Sequence, residues 1–272
     1  MRKLFSLFLE SKLYSIKWSN YFNIYETLFS PYTGKQITFV EVGVLNGGSL
    51  LMWRNYFGPK ARIIGIDNNP KCKNLEKLGG FEIIIGDQSN PEFWRSLKNQ
   101  NIRIDILLDD GGHTNKQQIV SVYNSLDLMN DDGLIVVEDT HASYMSEFGN
   151  PSKYSFIEYC KSLIDVINSR FIRNPDSKIA VSVHSIQFFE SIVCFRISRK
   201  DSIKNNKVAN KPKEKIEDFR FHGNKTFQKI GKLRSIRLPI RLKIFSRSIS
   251  NLQNFALRIQ NLTLRGYFKE KD

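Results

Sequence analysis

Cysteine is scarce in this chain: Cys72, Cys160 and Cys194 are the only three, and they lie far apart. An odd, scattered set supports neither a disulfide framework nor a cysteine metal centre, and it suits a reducing compartment, expected to be the cytoplasm. No apolar stretch runs uninterrupted for about 18 residues, so no transmembrane helix is expected. The opening MRKLFSLFLESKLYSIKW begins as a secretion signal does. Glu10 and Lys12 interrupt it and no small-residue cleavage site follows, so it reads as a helix of the mature protein. A GxGxxG fingerprint is missing, which disfavours a pyrophosphate-binding turn. Excess charge is also missing from most of the chain. Residues 1–199 hold 22 Lys/Arg against 21 Asp/Glu, whereas residues 200–272 hold 19 against 6. A nearly neutral body argues against a nucleic-acid partner and confines any basic surface to the tail.

What is present is a series of short apolar runs rich in Val and Ile, at 37–42, 62–66, 81–85, 104–108, 134–137, 180–184 and 191–197. The first five are nearly continuous, as in strands covered on both faces. Helical patterns separate them at 48–57, 70–78, 91–98, 115–129 and 152–170. The alternation predicts an α/β fold: a doubly wound, Rossmann-like, seven-stranded and mostly parallel sheet. No helix-length segment separates the last two runs, so a hairpin through SIQFFES predicts an antiparallel last strand. Three segments are expected: N-terminal helices over 1–30, the main domain over 31–199, and a basic linker with an amphipathic helical tail over 200–272.

Ligands of such sheets sit beyond the carboxyl ends of the strands. The stretch from Glu41 and Gly43 to Ser49 joins a strand to a helix, and its glycines allow close backbone approach. Asp67 ends the next strand, where a carboxylate can hold ribose hydroxyls, and Asp87-Gln88 end the one after. Singly each is an ordinary strand-end cap; in succession they outline a nucleoside site. Two further strands end in acidic pairs, Asp109-Asp110 and Glu138-Asp139, followed by His113 and His141. Crowded carboxylates repel unless a cation or protons compensate. Oxygen ligands without a cysteine cluster suit a hard ion, Mg²⁺ first. Neighbouring residues of a strand face opposite ways, so each pair can serve one site only where the extended strand breaks. Taken without the others, Glu138-Asp139 is a helix cap and His113 a loop histidine.

In this order FVEVGVLNGGSLLMWRNYFG, IIGIDNNP, GDQSNPEFW, ILLDDGGHTN and GLIVVEDTHASY resemble class I S-adenosylmethionine-dependent methyltransferases. More narrowly they resemble the metal-dependent sugar O-methyltransferases of the macrocin and mycinamicin type and their cephalosporin-hydroxylase-like relatives. The resemblance runs over about 15–198. It implies that Glu41, Gly43 and Ser49 surround the methionine part of S-adenosylmethionine, that Asp67 holds the ribose, and that Asp87 and Gln88 face the adenine. It implies Asp110, Glu138 and Asp139 as Mg²⁺ ligands and His113 as catalytic base. Asp109 goes to the cofactor side or to a structural bond. Tyr21 falls where the family has an aromatic residue near the cofactor. The family commonly has a serine before the histidine, where this chain has Gly112.

The expected function is methyl transfer from S-adenosylmethionine to a hydroxyl of a saccharide or glycosylated compound. The alternatives are a non-sugar diol or catechol acceptor, and a glycan- or membrane-binding protein on a degenerate methyltransferase fold without turnover. His141 and Tyr144 lie close enough to line an acceptor pocket, with a place on the surface the alternative for each. His184, in an apolar strand, reads as a core residue, and His222 receives no role. The tail, 225–265, interleaves basic and apolar residues near helical spacing. Such a helix packs on the body, on a second subunit of a homo-oligomer, or peripherally on the inner face of an anionic membrane.

Overall fold

The structure, a computed structural model, describes residues 3–149 and 152–210, with a few positions between 255 and 264. Residues 1–207 form one unit, which carries everything below, and residues 208–272 form a second. The tail calls for a helix, a membrane contact or a subunit contact rest on residues almost wholly outside the described ones, as does His222. Among the described residues no helix is long and apolar enough to cross a membrane.

Seven strands form one sheet: β1 (Thr38–Val42), β2 (Arg62–Asp67), β3 (Glu82–Ile85), β4 (Ile104–Asp109), β5 (Met129–Val137), β6 (Val183–Phe189) and β7 (Ile192–Ile197). Their spatial order is β3-β2-β1-β4-β5-β7-β6. The pairs from β3 to β5 are parallel, and β7 enters antiparallel between β5 and β6. The apolar runs dictate this. Ile106, Leu107 and Leu108 of β4 and Ile135, Val136 and Val137 of β5 are fully buried, as strands covered on both faces require.

Helices α1 (Lys3–Leu9), α2 (Tyr21–Phe29), α3 (Gly48–Phe57), α4 (Pro91–Asn99), α5 (Asn115–Ser125), α6 (Phe156–Asn168) and α7 (Lys178–Ser182) connect or flank the strands. One face of the sheet carries an aromatic cluster of Phe22, Tyr25, Phe29, Phe39, Trp53 and Phe57 from α2, β1 and α3. The other carries Trp94, Leu97, Val122, Phe156 and Leu163 from α4, α5 and α6. The N-terminal helices therefore complete one of the two hydrophobic layers.

The structure departs from the sequence expectations in local ways. The alternating run at 180–184 is split. Ser177 caps Ala180 N at 3.2 Å and starts the short helix α7, and β6 begins only at Val183. The hairpin expected through SIQFFES forms, but SIQFF lies wholly within β6, and the turn is Glu190-Ser191 with Ser191 at φ +62°. Because β6 is the sheet edge, alternate side chains meet water and His184 is exposed, which corrects its reading as a core residue. Residues 70–78 form a 3₁₀ rather than an α-helix, and β5 starts five residues earlier than its apolar run.

Candidate active site

The carboxyl ends of β1, β2, β4 and β5 open into a cavity of about 710 Å³. The ladder runs on past the strands: Gly43 N donates to Ile66 O, Asp110 N to Val42 O and Glu138 N to Asp109 O, at 2.8–2.9 Å. This register lays Gly43 beside Asp110. Gly43 has φ +91°, and a Cβ there would run into the Asp110 carbonyl, so the position requires glycine twice over.

On the cofactor side, Gly43, Ser49, Asp67, Asp87 and Gln88 line the cavity. Asp67 shapes the loop after β1, because Oδ2 accepts Val44 N at 2.9 Å and Leu45 N at 3.3 Å. Gln88 is fixed by Asp109 (2.8 Å), Ser121 (3.1 Å) and Gly112 N (3.2 Å). Two expected cofactor residues do not reach the cavity wall. Glu41 is fully buried behind it, bound to Ser49 Oγ (2.7 Å) and Trp53 Nε1 (3.2 Å). Asp109 turns inward to Gln88, the structural one of its two expected roles. Burial raises both carboxyls above the ordinary range.

The acidic pairs are separated by breaks in the strands. Asp139 has φ +52° and ψ +37°, a left-handed conformation just after β5 that breaks the extended strand, so that Glu138 and Asp139 both line the cavity. His113 has φ +59°, and it is followed by a Thr114/Gln117 capping box that starts α5. Gly112 packs on Gln117, whose side chain a Cβ would strike, so the serine common in the family would displace that cap. Asp110, His113 and Asp139 then present ligand atoms within 4.8 Å of one another. His113 Nε2 is 3.3 Å from Asp139 Oδ2, and Nδ1 is buried without a partner. Tyr21 Oη donates to Asp139 and meets Ser191 Oγ at 2.7 Å. His141 Nδ1 meets the same hydroxyl at 2.5 Å, and its ring packs edge-on against Trp18. Tyr144 is exposed, outside the cavity lining.

Glu138 is 1% exposed and has other company. Tyr25 Oη donates to it, and the Lys17 ammonium lies 3.1 Å from both of its oxygens. The same ammonium is 2.5 Å from Asp110 Oδ2 and 3.5 Å from Glu41 Oε1. Burial alone would lower the Lys17 pKa, but Asp110, Glu138 and Glu41 together hold it well above the ordinary lysine value. Burial and the Asp110 charge, opposed by Lys17, push Glu138 well up. Lys17 was invisible to sequence reasoning. Its only available signal is the charge imbalance of the acidic pairs, which calls for a cation or protons without naming a lysine. The donor set still fits a hard ion. Asp110 and Asp139 offer carboxylate oxygens close to the His113 ring, and one lysine leaves the acidic cluster in net negative charge.

The fold is that of class I S-adenosylmethionine-dependent methyltransferases. Within that class the chain is similar to sugar O-methyltransferases. It is 34% identical over 143 residues to 8-demethyl-8-alpha-L-rhamnosyl tetracenomycin-C 2'-O-methyltransferase of Streptomyces olivaceus, covering 49% of this chain and 37% of that one. It is 32% identical over 155 residues to mycinamicin VI 2''-O-methyltransferase of Micromonospora griseorubida, covering 53% and 38%. Among solved structures it resembles the MycE methyltransferase of the mycinamycin pathway in complex with Mg, SAH and mycinamycin VI. That similarity has a TM-score of 0.64 and 26% identity, covering 74% of this chain and 54% of the other. The chain thus spans about 37–38% of the length of these two curated relatives. No family model matches it.

Proposed function

We propose that the chain is an O-methyltransferase that moves the methyl group of S-adenosylmethionine to a hydroxyl of a saccharide or glycosylated compound, with Mg²⁺ as the metal. The observation that carries this reading is the meeting of Asp110, His113 and Asp139 at one end of a cavity whose other end is the Gly43 loop with Asp67 and Asp87. Relatives that act on glycosylated compounds, and a solved relative holding Mg and SAH, support it.

In this reading Asp110 and Asp139 hold the ion. When bound, the ion supplies Lewis acidity that lowers the pKa of the acceptor hydroxyl and fixes its position. The residues do the rest. His113 Nε2 faces the carboxylates and takes the hydroxyl proton as the oxygen attacks the methyl carbon. Asp139 Oδ2, 3.3 Å away, stabilises the imidazolium that forms. Tyr21 and Ser191 hold the Asp139 carboxylate in place. The Gly43 loop and Asp67 orient the donor so that oxygen, methyl and sulfur lie in line, and the sulfonium leaves as a neutral thioether.

Transfer of labelled methyl from S-adenosylmethionine to a panel of glycosides, together with the same assay on Asp139→Asn, tests the proposal. The expected result is label on a glycoside with the native chain, and loss of label in the variant despite normal cofactor binding. Undiminished transfer by Asp139→Asn rejects it.

A further inference from the structure

Lys17 lies in the segment 11–18 between α1 and α2, which crosses the cofactor loop as an extended strap. Ser11 Oγ donates to Gly48 O at 2.9 Å, and a Cβ on Gly48 would stand 2.7 Å from the Tyr14 carbonyl oxygen. Gly48 begins α3, so the strap is pressed onto that helix end. Ser15, Ile16, Lys17 and Trp18 then form part of the cavity wall. The strap delivers one buried ammonium, 1% exposed, into the acidic cluster.

The ammonium and a divalent ion draw on the same carboxylates. Asp110 belongs both to the Lys17 ion pair and to the group formed with His113 and Asp139. Glu138 is bonded to Lys17 through both oxygens. A cation pair on a shared carboxylate repels, and each cation weakens the hold of the other. Burial enlarges that effect, because water does not screen it.

We propose that Lys17 is a tethered cation that competes with the divalent ion for Asp110, so that ion binding displaces the ammonium and loosens the strap 11–18. Lys17 is thus a positioning residue. It holds the acidic cluster together in the ion-free chain, and its release couples the ion to the cofactor wall. This inference rests on the proposed metal site, and the experiment separates the two.

Mn²⁺, a probe for Mg²⁺, is titrated by calorimetry into the full-length native chain, Lys17→Met and Asp139→Asn. Lys17→Met binds Mn²⁺ roughly tenfold or more tightly than the native chain, because a competing charge has gone. Its melting temperature is lower than the native one in EDTA and rises on Mn²⁺ addition by more than the native increment. If Lys17→Met does not fold without metal, two further measurements decide. Lys17→Arg keeps the charge and retains the weaker native affinity. In the native chain, trypsin cleavage after Lys12 and Lys17 accelerates when Mn²⁺ is added, but not in Asp139→Asn. Equal or weaker Mn²⁺ affinity in Lys17→Met, or strap cleavage indifferent to Mn²⁺, overturns the inference and leaves the metal site standing. Absence of Mn²⁺ binding in the native chain and in Lys17→Met alike overturns both.

Discussion

Two of the proposed catalytic residues, His113 and Asp139, make separable predictions. His113 is the proposed base. Its replacement by Ala should lower the transfer rate by about 10²–10⁴-fold, the usual contribution of general-base help, in a single-turnover assay. In the proposed mechanism Asp139 stabilises the imidazolium and holds the ion, so Asp139→Asn should lower transfer by about 10²-fold or more while cofactor affinity in calorimetry stays within about threefold, separating binding from chemistry. The residue scale also shows where sequence reasoning reached and where it stopped. Asp110, His113 and Asp139 were legible because each ends or follows an apolar run, and the topology sends those ends to one edge of the sheet. Lys17 was not, because its partners lie 24, 93 and 121 residues away and nothing local distinguishes it from a solvated lysine. Glu41 and Asp109 were legible as acids near the ends of strands, but not their direction. Whether a strand-end carboxylate faces the cavity or the interior depends on neighbours such as Trp53 and Gln88, contributed by other elements.

Among the elements, the turn after β1 is the most constrained. Gly43→Ala would need both a left-handed alanine and a shift of the Asp110 carbonyl. The variant should lose about 1–3 kcal/mol of stability in denaturant titration, with weaker binding of S-adenosylmethionine. Helix α3 anchors the same wall through Trp53, which is fully buried, packs on Tyr25, Phe29 and Phe39, and donates to Glu41. The positions of β1 to β4 and of β7 were legible from their Val and Ile content. Two helical segments were not. The alternation at 180–184 imitates a strand, and only the Ser177 cap reveals α7. The run at 70–78 has helical spacing, yet just Cys72 of it is buried, too little packing to hold a full α-helix.

The whole molecule divides into a nearly neutral body and a strongly basic stretch beyond it. In the body, ion pairs tie the far end of the β5–β7 ladder. Lys200 and Arg196 hold the Asp132 carboxyl below the ordinary carboxylate range. A depressed folded value means that this contribution is complete above the unfolded carboxylate value of about 4 and fades as pH falls through the folded one. Asp132 is half exposed, so the effect is small and screened by salt. Asp132→Asn should lower the melting temperature by no more than about 4 °C at pH 7 and by progressively less as the pH falls below about 4, as thermal melts across that range would record. The body spans the fold and the proposed catalytic set within less than half the length of the two curated relatives cited above. The acceptor is accordingly to be sought among glycosides of different size and linkage.

The most direct measurement is methyl transfer from labelled S-adenosylmethionine, with the acceptor glycoside that takes the label, as free Mg²⁺ is varied in an EDTA buffer. The account predicts saturable dependence on the ion, with transfer abolished by excess EDTA and restored by Mg²⁺. Transfer that persists at full rate in excess EDTA would contradict it.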